Sequence, residues 1–262
     1  MLVLSHGDVT ELRFSSWRSR LVGYAVSAFV TREVLVDAAF PNAAPALGAW
    51  LDAHPVRGAI LTHAHEDHAG GLPALIARGI GVQRAALTER RLRAAERVGF
   101  YRRFTWGRRR QLTQPLADFA DDALTLRPTP GHSDDHHVVW DAERGTVFGG
   151  DLFIGVKVRI AHHDEDLRAQ VLALREVASW HPERFFDAHR GRLDDPVAQL
   201  RAKADWIEET IGQIETLIRL GWVDRAIRDQ VFGGEDLTGR WSFGDYSRLG
   251  FVQSVRRTMP PL

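Results

Sequence analysis

Thr62-His63-Ala64-His65-Glu66-Asp67-His68-Ala69-Gly70-Gly71 is the stretch whose reading decides the fold. Three histidines and two acids stand together, closed by two glycines. Imidazole nitrogen and carboxylate oxygen are the ligands that a borderline metal such as zinc takes. Residues two apart in an extended segment face the same side, so the rings of His63 and His65 aim together. Asp67 and His68 follow where Gly70-Gly71 make the chain turn. Four ligand-capable groups can then surround a space large enough for two ions. The helical zinc-protease pattern His-Glu-x-x-His does not fit, because Ala69 stands where its second histidine is needed.

Four further stretches carry the same chemistry: Val34-Leu35-Val36-Asp37, Thr129-Pro130-Gly131-His132-Ser133, Val147-Phe148-Gly149-Gly150-Asp151 and Phe185-Phe186-Asp187-Ala188-His189. With the opening run, which reads His-x-His-x-Asp-His, they resemble the metallo-β-lactamase superfamily in content and order. The resemblance implies an α/β protein, an αββα four-layer sandwich with a helical C-terminal extension. It implies that His63, His65 and His132 bind one metal and that Asp67, His68 and His189 bind another, with Asp151 bridging. Two divalent ions are expected, zinc first, with iron or manganese compatible with the same ligands. A shared hydroxide would attack an ester-like bond, aimed by Asp67 as the catalytic carboxylate. Asp37 is expected to fix a ligand imidazole from behind.

Composition fits a soluble enzyme. The chain has 262 residues, 44% hydrophobic, enough for a substantial core. Its formal net charge is zero, so no global field draws it to nucleic acid or membrane. No apolar stretch reaches the ~18 residues of a bilayer span. The start Met1-Leu2-Val3-Leu4-Ser5 lacks a basic region before an apolar one, so no secretory signal is expected and a cytoplasmic location is. Without cysteine, any metal site must use histidine and carboxylate. Lys157 and Lys203 are the only lysines; arginine supplies the other positive charges.

Periodicity places the motifs on elements. Residues 24–30 and 33–36 read as strands joined by a turn at Thr31-Arg32, and 46–53 as a helix stopped near Pro55. Residues 58–61 form a buried strand delivering His63 and His65. A helix runs from Gly71 to about Arg78. Strands at 124–127 and 137–141 flank the His132 loop, and 146–148 leads to Asp151. A helix covers 165–180, with Leu167, Val171, Leu174 and Ala178 on one face. The strand 184–187 delivers His189. Strands ending at ligands and alternating with helices suit a layered α/β protein with its site at one sheet edge. Residues 1–193 are read as the catalytic domain and 194–262 as the helical extension. Asp194-Asp195-Pro196 starts its first helix, and Leu200, Ile207, Ile211, Ile214 and Ile218 form the apolar stripe. Shorter helices are expected near 226–231 and 246–255.

Other polar residues receive lesser roles. His136 is read as supporting the site, His137 as packing, and His162 and His163 as a solvated loop. Trp50, Trp106, Trp140, Trp180, Trp206, Trp222 and Trp241 are read as core or domain contacts. The arginine-rich segment 84–110, with Phe100, Tyr101, Phe104 and Trp106 interleaved, is either a lid gripping an anionic substrate or a solvated helix. Arg190, Arg192 and Lys157 lie close enough in sequence to the ligands to meet substrate.

Within the superfamily the arrangement resembles glyoxalase II, which implies a thioester or other carboxylic ester as the small-molecule substrate. Lactonases share the ligand set. A phosphodiesterase or nuclease of the ribonuclease Z type is the rival chemistry, disfavoured by the zero net charge, so nucleic acid is not the expected partner. A non-catalytic metal-binding sensor would not need a bridging ligand.

Overall fold

The computed structural model describes residues 1–95, 98–162 and 164–260. One six-stranded sheet runs β1 (Leu2–Ser5), β2 (Thr10–Phe14), β3 (Val26–Thr31), β4 (Val34–Val36), β5 (Gly58–Ile60) and β6 (Val82–Gln83), in that spatial order. Its first four strands are antiparallel, and β4, β5 and β6 are parallel. A second sheet contains β7 (Leu124–Pro128), β8 (His137–Asp141), β9 (Thr146–Phe148), β11 (Arg184–Asp187) and β12 (Gly191–Arg192), ordered β12-β11-β9-β8-β7. A small pair, β10 (Ala161–His162) with β13 (Tyr246–Ser247), ties two distant loops together.

Side-chain alternation builds the layers. In β4, Val34 and Val36 enter one apolar cluster while Leu35 enters another. In β8, β9 and β11, Val139, Phe148 and Phe186 join Val34 and Val36 between the sheets. Their neighbours Val138, Val147 and Phe185 turn outward to the second sheet's helices. Phe29, Phe148 and Phe186 meet at 5.4–5.6 Å between ring centres and lock the sheets face to face.

The short helix α1 (Trp17–Leu21) joins β2 to β3. The outer face of the first sheet is covered by α2 (Ala44–Ala53), α4 (Leu72–Ile76) and α5 (Ala86–Arg93) through Leu47, Leu51, Leu72, Leu75 and Leu92. The one-turn helix α3 (Glu66–Ala69) follows β5, and α6 (Phe100–Thr105) is tied to it through Arg102 and Glu66. The second sheet is covered by α7 (Leu167–Ser179), α8 (Pro196–Arg219), α9 (Asp224–Phe232) and α11 (Arg248–Thr258), with α10 (Leu237–Trp241) short and peripheral. The expected αββα sandwich with a helical C-terminal part is therefore present. Helices α8, α9 and α11 share one apolar cluster with α7 and β9, so these C-terminal helices are packed on the second sheet.

Several boundaries differ from the sequence reading for local reasons. The hairpin turn between β3 and β4 falls at Arg32-Glu33, both with positive φ (49° and 61°), the backbone of a tight two-residue turn. Helix α7 starts at Leu167 because the Asp166 carboxylate accepts the N–H groups of Arg168 and Ala169, both at 3.0 Å. Strands β1 and β2 went unread: they are short, and β1 is largely exposed, so no buried face shows in its pattern. Trp222 and Trp241, read as core or contact residues, are exposed.

Candidate metal centre

The ligand-capable residues sit where strands end. The segment after β5 carries His63 and His65, α3 carries Asp67 and His68, the β7–β8 loop carries His132, and Asp151 and His189 follow β9 and β11. Asp67 and His68 lie in a helical turn, not in a glycine-driven reversal. Gly70 and Gly71 are needed for space: a Cβ on Gly71 would sit 2.0 Å from the Ala38 carbonyl oxygen. At Gly150 both demands coincide, with φ +50° and a Cβ only 2.8 Å from His136 Nε2.

All seven residues meet in two groups. His63, His65, His132 and Asp151 form one; Asp67, His68, Asp151 and His189 form the other. Within each, one ligand atom per residue lies within 4.8 Å of the rest. Asp151 divides its two oxygens between them. Its Oδ1 lies 3.1 Å from His68 Nε2 and 3.2 Å from His189 Nε2, while its Oδ2 lies 3.3 Å from His132 Nε2. Asp67 Oδ2 stands 3.5 Å from His189 Nε2.

The surrounding bonds aim the lone pairs inward. His68 Nδ1 lies 2.8 Å from Asp37 Oδ2; a carboxylate only accepts, so this nitrogen carries the proton and Nε2 faces the centre. His189 Nδ1 likewise donates to the Ala25 carbonyl at 2.9 Å. The Thr62 hydroxyl is spent on Asp37 and can accept from His63 Nδ1 at 3.0 Å. His63 Nε2, His68 Nε2 and Asp151 Oδ1 are then buried with no aligned hydrogen-bond partner. Orphaned buried atoms of this kind are costly unless something cationic binds them. Burial pushes the imidazoles of His63 and His65 well below their ordinary range and that of His132 to about 3, so all three are neutral lone-pair donors. Burial acts the same way on His68 and His189, but the surrounding carboxylates together outweigh it, Asp151, Asp37 and Asp67 at His68 and Asp151, Asp67 and Asp187 at His189, and raise both, His189 to about 9. This half of the centre therefore favours positive charge. The donor set and the orphaned atoms fit two divalent cations.

Asp37 stands behind His68 as expected. His136 also plays the supporting part: its Nε2 accepts the Asp151 N–H at 3.0 Å, and Nδ1 lies 2.9 Å from the Thr129 hydroxyl. His137 belongs to β8, half-buried, outside both groups. His162 is not a solvated loop residue. It pairs with Tyr246 across β10 and β13, and its Nε2 lies 3.0 Å from an Asp245 oxygen. His163 lies outside the described residues, as do residues 96 and 97 of the arginine-rich segment.

The centre opens into a cavity of about 510 Å³ between the sheet edge and the C-terminal helices. From the arginine-rich segment, Tyr101, Arg102, Thr105 and Trp106 line it, so α6 does form a wall. The expected arginine grip is not built there. Arg102 is buried and holds Glu66 through both guanidinium arms. Arg109 Nη1 donates to the Leu92 carbonyl at 3.0 Å, and Arg103 and Arg108 are exposed and do not line the cavity. Lys157 and Arg190 reach the cavity, whereas Arg192 is exposed outside it.

Sequence reasoning missed the cavity's inner wall. Lys203 of α8 is buried, and its Nζ donates to the carbonyls of Leu152 at 2.9 Å and Phe153 at 2.6 Å, next to Asp151. Burial lowers its ammonium to about 8 and raises the nearby Glu165 carboxyl to about 8. Glu165 Oε1 lies 3.7 Å from His132 Nδ1. A lysine in an otherwise arginine-rich chain, set within an apolar helical stripe, was the available signal.

The family model of the metallo-β-lactamase superfamily matches residues 23–207, and the chain belongs to that superfamily. A "Beta-lactamase-like protein 2 homolog" of Drosophila melanogaster is 27% identical over 157 residues, covering 54% of this chain and 47% of that protein. The Caenorhabditis elegans homolog of the same name is 22% identical over 197 residues, covering 72% and 61%. The chain thus spans about half to three fifths of the length of these curated relatives. Among solved structures, a metallo-β-lactamase family protein from Thermus thermophilus superposes with a TM-score of 0.64 at 17% identity, over 95% of this chain and 93% of that one. A metallo-β-lactamase from Pseudomonas aeruginosa in a mono-zinc form gives 0.58 at 23% identity, over 79% and 95%. At these identities the likeness is one of fold.

Proposed function

We propose that this chain is a binuclear metal-dependent hydrolase of ester-like bonds, with a thioester or other carboxylic ester as substrate. The observation that carries the reading is the division of Asp151, one oxygen toward each ligand group. His63, His65 and His132 would hold one ion and Asp67, His68 and His189 the other, zinc being the first choice and iron or manganese also suited. Such a pair of ions, when bound, polarises the attacked carbonyl and lowers the pKa of a shared water.

The chain's own residues supply the rest. Asp67 lines the cavity, where its carboxylate can accept a hydrogen bond from the attacking water and aim it. Asp37 and His136 keep His68 and the Asp151 backbone in place. Val158, Ile160, Leu167, Ile207 and Phe251 give the cavity an apolar side suited to an acyl group. No serine lines the cavity among the described residues and the chain has no cysteine, so water is the fitting nucleophile. Its oxygen bonds to the carbonyl carbon, the C–S or C–O bond breaks, and the departing thiol or alcohol leaves with a proton.

A panel of one thioester, one aryl ester, one lactone and one phosphodiester tests this reading on chelator-treated and zinc-restored protein. Hydrolysis of the thioester or aryl ester, lost on chelation and regained with zinc, is the expected result. Activity confined to the phosphodiester, or ester hydrolysis indifferent to metal, contradicts it.

A further inference from the structure

A second recess, of about 350 Å³, adjoins the centre on the His189 side. Arg13 of β2, Arg20 of α1 and Arg190 line it, with Tyr24, Ile154 and His189 shared with the main cavity. No carboxylate lines it among the described residues. Arg13 is held by three bonds: Nη2 donates to the His189 carbonyl at 3.0 Å, and Nη1 lies 3.3 Å from Glu11 Oε1 and 3.5 Å from the Ser27 hydroxyl. That glutamate is shared with the Ser27 hydroxyl at 2.7 Å and His6 Nε2 at 2.9 Å. Arg190 is anchored by its Nε on the Ile154 carbonyl at 2.5 Å. Arg20 is exposed.

The wall between recess and cavity is held in an unusual backbone. Ile154 has φ 54°, a left-handed conformation rare for a β-branched residue. The Asp187 carboxylate accepts its N–H at 2.7 Å and keeps it there. Strain of this kind persists only where the surroundings enforce it. Here it presents the Ile154 carbonyl to Arg190 and so fixes one side of the recess.

We propose that this recess is a phosphate subsite for the departing half of the substrate. Three arginines lining one small space suit the hydrogen bonds of a phosphate monoester. The recess lies beside His189, in the ligand group opposite His132, while the apolar side of the main cavity extends along α7, α8 and α11. The substrate class is then an amphiphilic ester or thioester: an acyl group toward the C-terminal helices and a phosphate-bearing alcohol or thiol toward the arginines. This assignment rests on the hydrolytic reading for its two halves, but the anion site itself does not.

Two octanoyl thioesters separate these points, one on 4-mercaptobutyl phosphate and one on 4-mercaptobutanol, assayed with zinc-loaded wild type, Arg20→Glu and Arg20→Lys. The phosphorylated substrate should show the lower KM in wild type. Arg20→Glu should raise that KM about tenfold, leaving kcat and the neutral substrate within about twofold, and Arg20→Lys should keep most of the preference. Equal KM values for the two thioesters in wild type, or equal effects of Arg20→Glu on both, overturn the proposal. If neither thioester is hydrolysed, the hydrolytic reading fails separately. Calorimetric titration with 4-(methylthio)butyl phosphate then decides the recess: binding weakened by Arg20→Glu supports it, and binding absent, or unchanged in that variant, overturns it.

Discussion

The Asp37 carboxylate joins two parts of the site: Oδ2 lies 2.8 Å from His68 Nδ1, and Oδ1 accepts the Thr62 N–H at 2.8 Å. One side chain thereby fixes both the ring of His68 and the strand end that leads to His63. Asp37 has φ 61°, a conformation asparagine also tolerates, so Asp37→Asn should fold. The amide cannot match the carboxylate on both nitrogen donors. Affinity for the ion at His68 should fall about 10–100-fold, measured by competition with a chromophoric chelator. Unchanged affinity would remove Asp37 from the account.

Glu66 and Arg102 form a buried pair between α3 and α6, beside the ligand helix. Glu66→Gln alone leaves the guanidinium buried without its charge partner, which should cost about 3–5 kcal/mol in urea unfolding. The double variant Glu66→Gln/Arg102→Met should recover much of that loss. Strict additivity of the two single changes would show that the pair does not act as a unit.

Lys203→Met tests the tie between α8 and the Asp151 loop. The Leu152 and Phe153 carbonyls lose their donor, so stability should fall by about 1–3 kcal/mol, read from thermal unfolding of the metal-loaded protein. A rise in stability would mean that the desolvation of the ammonium outweighs its two bonds.

Arg103→Ala/Arg108→Ala should leave KM unchanged for anionic and neutral esters alike, because both residues are exposed and do not line the cavity. A several-fold increase for the anionic ester alone would restore the arginine grip that the sequence suggested.

Much of the centre was legible before the fold. The residues that bond a metal must be of a few chemical types, and short spacing on one strand end makes the pattern local, as in His63, His65, Asp67 and His68. His132, Asp151 and His189 stand far apart in the chain and were readable through the resemblance to the metallo-β-lactamase superfamily, carried by the order of their motifs. What could not be read depends on contacts between distant segments. Arg102 looked like one of many surface arginines, yet it meets Glu66 36 positions earlier. Lys203 meets the Asp151 loop from 50 positions away. The Arg13–Arg20–Arg190 recess joins the first hairpin to the end of β11, and no spacing rule links them. Strands β10 and β13 have two residues each, too short for any period to show.

The central claim is that the two ligand groups around Asp151 hold two ions. Metal analysis of protein saturated with zinc, combined with an anomalous difference map, measures it directly. The account predicts two ions per chain, one among His63, His65 and His132 and one among Asp67, His68 and His189, with Asp151→Ala losing at least one. A single ion per chain at saturating zinc, with the second group bare in the map, would contradict it.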